Sequence, residues 1–294
     1  MQSTAVPSHP GRPWIAAAYL AVCILWGSTY LGIRVALESY PPFLLGAARF
    51  LFSGAVLFVF ARWRREAAPT ATQWGAAALT GTLFFVVGNG FLNVAEQWVS
   101  TGLTSVLVAT MPLWATVFAR FFGQPMSRRD AAGAVLGLVG VAVLNRGGEL
   151  RASPLGAAFA LLAPMGWGLG SIVSQRLPTP PGGTMRTATQ MLGGGAALLV
   201  VSLCLREHVG QMQTARSIVA AVYLTVFGSL VGFSAFSLLL RHTRPAVATS
   251  YAYINPVIAI VLGVVFAGEK FGASSFAGTA IVLAAVVIVA TAER

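Results

Sequence analysis

The chain has 294 residues, 56% of them hydrophobic and 9% charged, with 32 glycines and a net charge of +11. Soluble domains carry roughly 25% charged residues, so a soluble enzyme, a disordered chain and a secreted disulfide scaffold are all excluded. The basic residues stand singly or in pairs between apolar runs, which orients membrane helices rather than gripping nucleic acid.

A hydrocarbon core of about 30 Å takes about 20 apolar residues per helix. Residues 1–13, with three prolines, predict a loose cytoplasmic tail. Ten spans follow, at 14–34, 42–61, 73–94, 99–122, 130–145, 154–175, 186–205, 217–240, 246–268 and 272–291. The first apolar run is too long for a cleavable signal, and the short connections leave no room for a soluble domain. With the N-terminus in the cytoplasm, twelve Lys and Arg fall inside, six outside and Arg49 within a span. That excess places both termini inside. Cys23 and Cys204 lie in separate apolar runs and read as inert small hydrophobes.

The halves resemble each other. Trp26-Gly27 and Trp167-Gly168 are 141 residues apart, Met111-Pro112 and Asn255-Pro256 are 144 apart, and Ala132-Gly133 and Ala277-Gly278 are 145 apart. This predicts a duplicated five-helix unit, residues 14–148 and 149–294. Five is odd, so the second copy crosses in the opposite sense to the first. The predicted fold is therefore an all-α polytopic bundle of ten transmembrane helices in two inverted five-helix repeats, an architecture that opens one central site to each side in turn.

Trp26-Gly27, Ala48-Arg49-Phe50 in the second span, and the proline-bearing fourth span followed by Gly123-Gln124-Pro125 resemble the drug/metabolite transporter superfamily. Over residues 14–291 the chain is similar to its EamA-type ten-helix exporters. That resemblance implies transport, commonly efflux, and the group includes exporters of aromatic amino acids. In one departure, Gln124 stands where many members carry Glu, whereas the second half has Gly268-Glu269. No role is assigned to Gln124.

Proline removes a backbone donor and clashes with the carbonyl four residues back. Pro112, Pro164 and Pro256 should thus free the carbonyls of Val108, Ala160 and Ala252. The matched Pro112 and Pro256 are read as paired gating hinges, or else as static kinks satisfied by neighbouring helices. Polar and aromatic residues form stripes inside the spans: Trp26 and Tyr30; Asn89, Asn93 and Gln97; Trp167, Ser171 and Ser174; Ser229, Phe233, Phe236 and Ser237; Tyr251 and Asn255. Such faces should turn away from lipid and, with Met111, line a cavity suited to a small zwitterion with an apolar side chain. Arg49, well inside a span, either holds a substrate carboxylate or ties its helix to carbonyls or water. The glycines of Gly193-Gly194-Gly195 and Gly133, Gly137 and Gly140 suit close helix packing.

All eight acids fall at span ends, in loops or in the tail, which disfavours proton antiport through a mid-membrane carboxylate; Glu96 and Glu269 are left as outer-mouth candidates. With one aspartate and three histidines, all three in the tail and loops, an intramembrane enzyme lacks its groups. No metal or cofactor is expected. The reading is an inner-membrane secondary transporter exporting aromatic or other apolar amino acids, or related metabolites, by facilitated diffusion or exchange. Its partners are the solute and the bilayer, and a monomer suffices. The alternative is a multidrug or organic-cation exporter.

Overall fold

Side-chain caps start several of the helices. Thr70 accepts from the Gln73 N–H and gives its own N–H to Gln73 Oε1, a reciprocal capping box. Ser100, Ser153 and Thr214 each accept from the N–H three residues on. The computed structural model describes residues 12–123, 127–145, 153–210, 213–242 and 251–290, and among these there is no strand. The expected tail, apart from its last two residues, and Gln124 lie outside the described residues.

The helices are α1 (Arg12–Ala36), α2 (Pro42–Trp63), α3 (Ala71–Ala95), α4 (Thr101–Phe121), α5 (Arg128–Asn145), α6 (Pro154–Ser174), α7 (Gly183–Cys204), α8 (Ala215–Leu239), α9 (Tyr251–Ala267) and α10 (Ala273–Ala290). Seven are long and apolar enough to cross a bilayer, and the described parts of α5, α9 and α10 hold shorter apolar stretches. Large apolar side chains lie on the outside, Phe121 80% exposed, Trp63 77% and Trp14 72%. Lipid covers such a surface at no hydrophobic cost, and tryptophans at helix ends suit the membrane–water interface. The chain is an all-α polytopic membrane protein.

The two halves match in irregularities as well as in helices. Thr82–Gly90 of α3 and Leu224–Val231 of α8 are π-helical. Arg65 and Arg206, just past α2 and α7, both take left-handed φ, 61° and 54°. Gly123 and Gly268, past α4 and α9, do the same at 82° and 65°. Partners are exchanged in a matched way: α1 packs on α8 and α9 of the other half, α6 on α3 and α4, α2 on α7, and α5 on α10.

The caps of α2 and α7 give the relative direction of the halves. Neither helix has a capping side chain of its own. Glu207, past the end of α7, accepts from the Phe43 and Leu44 N–H groups at the start of α2, at 3.3 and 2.8 Å. Glu66, past the end of α2, accepts from the Met185 N–H at the start of α7, at 2.8 Å. Each carboxylate meets the positive end of the other half's helix dipole. Such a crossed pair requires α2 and α7 to run antiparallel, and the repeat is inverted.

Candidate functional site

The Trp-Gly pair of each half is explained by what its two residues touch. A Cβ at Gly27 would lie 2.8 Å from Ile258 Cβ on α9, and one at Gly168 would lie 2.9 Å from the Ala115 nitrogen on α4. Glycine therefore lets α1 and α6 approach the opposite half. Next to it, each indole lies over a glycine of the opposite third helix: Trp26 Nε1 is 2.5 Å from a Cβ built on Gly232, and Trp167 Nε1 is 2.5 Å from one built on Gly88. Trp26 Nε1 also donates to the Gly228 carbonyl at 3.0 Å, within the π-helical turn of α8.

These indoles meet at the centre of the bundle, their rings 5.7 Å apart. Trp26 lies 4.9 Å from Tyr251, 5.0 Å from Phe236 and 6.1 Å from Phe233. Beside them is a cavity of about 60 Å³. Of the residues expected to bind substrate, Trp26, Tyr30, Arg49, Asn89, Met111, Trp167, Phe233, Tyr251 and Asn255 line it, and the unpredicted Thr29 and Gly228 join them. Ligand pockets commonly measure about 300–1,000 Å³, so the site is seen closed down on itself.

Arg49 is 3% exposed. Its guanidinium lies 5.2 Å over the Phe50 ring, and its buried Nε and Nη1 meet no acceptor. No acidic side chain lines the cavity among the described residues. The amides lean on backbone through their nitrogens. Asn89 Nδ2 donates to the Phe84 carbonyl at 3.3 Å, and the Asn255 nitrogen bridges the Tyr251 and Cys23 carbonyls, both at 3.2 Å. This arrangement leaves amide oxygens as acceptors.

Asn93 and Ser171 lie off the central cavity. Asn93 is fully buried, with its Nδ2 donating to the Pro42 carbonyl at 2.9 Å, so it ties α3 to α2. The π-helical turn before it is wider than an α-turn, so a four-residue step no longer returns to the same face and the stripe from Asn89 to Gln97 is broken. Ser171 donates to the Trp167 carbonyl at 2.7 Å and lines a second cavity on the side where α1 begins. Of the three prolines only Pro112 stands at an interruption. There α4 divides into Thr101–Val108 and Met111–Phe121, and the Thr110 N–H bonds to Leu107 three residues back, at 3.1 Å. α6 and the described α9 run unbroken through Pro164 and Pro256.

The bundle is closed on the side where α1 ends. Arg34 Nη1 donates to the Glu96 and Val99 carbonyls at 3.0 and 3.2 Å, Ser39 bonds Ser217 at 2.9 Å, and an apolar cluster including Tyr30, Ile33, Leu45, Leu92 and Leu224 fills the space beneath. Glu96 is fully buried there, 3.4 Å from the Thr101 hydroxyl. Glu269 accepts from the Thr101 and Gly102 N–H groups at 2.7 and 3.1 Å, capping α4. The sequence reading missed the capping role of Glu66 and Glu207. Two Arg-Glu pairs 141 residues apart, in a chain with only eight acids, are the signal that could have found them.

The sequence matches the EamA-like transporter family twice, over residues 13–146 and 154–291. It is 38% identical over 273 residues to the uncharacterized inner membrane transporter YedA of Escherichia coli K12, covering 92% of this chain and 89% of that protein. It is 25% identical to Protein PecM of Dickeya dadantii, over 92% of this chain and 90% of the other. A solved crystal structure 19% identical superposes with a TM-score of 0.64 over 95% of this chain and 96% of its own, which speaks for the fold alone. With each half matched and the crossed caps and paired indoles relating one to the other, the chain belongs to the EamA-like transporter family.

Proposed function

We propose that this protein is a secondary transporter of a bacterial inner membrane, both termini cytoplasmic, that exports amino acids with aromatic or other apolar side chains, or related small carboxylates. It works by alternating access, as facilitated diffusion or exchange, and a single chain encloses the site. The observation that carries this reading is Arg49. A charge at mid-membrane costs about 2.5–3.5 kcal/mol, and this one lines the cavity with two buried donors unmet. A substrate carboxylate supplies the missing acceptor and countercharge, and the planar fork of the guanidinium suits it. The amide oxygens of Asn89 and Asn255 then serve an ammonium, and the indoles and Phe233 serve the apolar side chain. An organic cation, the alternative substrate, would meet a buried guanidinium with no acid beside it.

Purified protein in liposomes tests this by counterflow of labelled phenylalanine, tryptophan, threonine and methyl viologen, with and without a pH gradient. Aromatic amino acids should exchange and methyl viologen should not. Arg49→Gln places in the first half the residue that Gln190 supplies at the matched position of the second. Loss of a charge-assisted hydrogen bond, about 1.5–3 kcal/mol, should raise KM by roughly 10- to 150-fold, with Arg49→Lys between. Methyl viologen exchange with no amino-acid exchange would overturn the reading.

A further inference from the structure

The two central indoles are matched in place and unmatched in bonding. Each lies over a glycine of the opposite half, Gly232 under Trp26 and Gly88 under Trp167. Four residues before each glycine, within the π-helical turn, stands a backbone carbonyl, that of Gly228 in α8 and that of Phe84 in α3. Trp26 Nε1 donates to the first at 3.0 Å. The second is taken by Asn89, whose Nδ2 donates to it at 3.3 Å. The residue that follows Gly232, as Asn89 follows Gly88, is Phe233, which has no donor to offer. Trp167 Nε1 is left with no acceptor among the described residues.

An indole N–H is a donor only, and polar groups in a protein interior are as a rule paired. Trp167 is half-buried and lines the central cavity, where Arg49 also stands with two donors unmet. The two are close. A Cβ built on Gly228 would lie 3.5 Å from Arg49 Nη2, the Gly228 carbonyl holds Trp26, and the Trp26 ring is 5.7 Å from that of Trp167. One cavity thus collects a guanidinium and an indole N–H that both lack an acceptor.

We propose that Trp167 is a specificity residue whose N–H donates to the solute carboxylate beside Arg49, and that Asn89 keeps this donor available by holding the Phe84 carbonyl in its stead. The proposal rests on the carboxylate reading above. A carboxylate accepts at both oxygens, with about four lone-pair sites, so the guanidinium and the indole share it without competing. The face of the Trp167 ring remains for the apolar side chain. Trp26, its N–H committed to α8, is the structural member of the pair. A solute without an acceptor leaves the Trp167 N–H unpaired, and that penalty discriminates against amines that lack the carboxylate.

The test is hydrogen exchange at the indole nitrogens of the full chain carrying isotopically labelled tryptophan, read by NMR, with the two signals assigned by their loss in Trp26→Phe and Trp167→Phe. Without solute the Trp167 N–H should exchange several times faster than that of Trp26. Phenylalanine should slow Trp167 severalfold, and phenethylamine, which lacks the carboxylate, should not. In Asn89→Ala the Trp167 N–H should take the Phe84 carbonyl, as Trp26 takes that of Gly228, so that it is slow from the outset and no longer answers to phenylalanine; Asn89→Gln should restore part of the response. In counterflow, Trp167→Phe should raise the KM for phenylalanine roughly tenfold or more, and much less when added to Asn89→Ala. Trp167 exchange that is as slow as that of Trp26 before solute is added, that phenylalanine leaves unchanged, that phenethylamine slows equally, or that Asn89→Ala does not alter each overturns the proposal, while counterflow by the parent protein upholds the carboxylate reading. Should Asn89→Ala not elute as monodisperse protein, the exchange rates of the parent protein still decide. Absence of phenylalanine and tryptophan counterflow overturns both.

Discussion

Replacing Gly232 by alanine separates the tertiary demand at the central site from the local preference of the helix. In an open helical position alanine is favoured over glycine by roughly 0.5–1 kcal/mol. At Gly232 the added carbon would sit 2.5 Å from Trp26 Nε1 and 3.0 Å from both Trp26 Cδ1 and the Phe227 carbonyl. The first distance is roughly 1 Å inside ordinary contact. The indole has to withdraw, and it cannot do so while keeping its 3.0 Å bond to the Gly228 carbonyl. The lost hydrogen bond is worth about 0.5–1.5 kcal/mol and the overpacking about 1–3 kcal/mol. After the helix gain is subtracted, Gly232→Ala should destabilise by about 0.5–4 kcal/mol. Gly88→Ala, against Trp167, should do the same. Gly75→Ala in α3, where a Cβ meets nothing within 4 Å, should stabilise instead. Thermal unfolding in one detergent, read by intrinsic fluorescence and by loss of monodisperse protein, measures all three. Combining Gly232→Ala with Trp26→Phe should recover part of the loss, because the smaller ring relieves the overlap. If Gly88→Ala and Gly232→Ala stabilise as Gly75→Ala does, the indole-over-glycine contact does not hold the bundle together and the account of the Trp-Gly pairs fails.

Asn255→Ala should lower counterflow while yield and elution stay normal, and Trp167→Phe, which keeps a ring in place, should lower it too; unchanged flux in both would remove the cavity from the transport path. Asn89→Ala should raise the KM for phenylalanine, whereas Asn93→Ala should leave KM alone and lower thermal stability by about 0.5–1.5 kcal/mol, since it removes the bond from Asn93 Nδ2 to the Pro42 carbonyl that ties α3 to α2. Glu207→Gln and Glu66→Gln should each cost on the order of 1 kcal/mol through a weakened dipole cap, measured by unfolding, and by similar amounts because the caps are matched. Pro112→Ala should heal the interruption in α4 and slow exchange more than it weakens binding, read as a fall in maximal counterflow rate at nearly constant KM.

The ten spans could be read from the chain because a bilayer imposes a length and a composition on every crossing segment, whatever its neighbours. The repeat was legible for a related reason. Trp-Gly and Met-Pro or Asn-Pro pairs are uncommon enough to stand out, and five crossings per copy force the inversion. Periodicity also collected most of the cavity residues, since helical stripes carrying Trp26, Asn89 or Tyr251 have no tolerable place but the bundle interior. Periodicity failed where the helix departed from it. The π-helical turns of α3 and α8 leave no mark in the spacing of the sequence, and the one in α3 turned Asn93 out of a stripe that assumed a uniform α-helix. Glu66 and Glu207 looked like ordinary loop acids, because a cap donated by the other half leaves no local pattern. Which side is closed, and which bonds Arg34 makes there, were decided only by tertiary structure. The sequence specifies two similar halves, whereas the closed and open ends are set by how those halves lean on one another, a relation between residues more than a hundred positions apart.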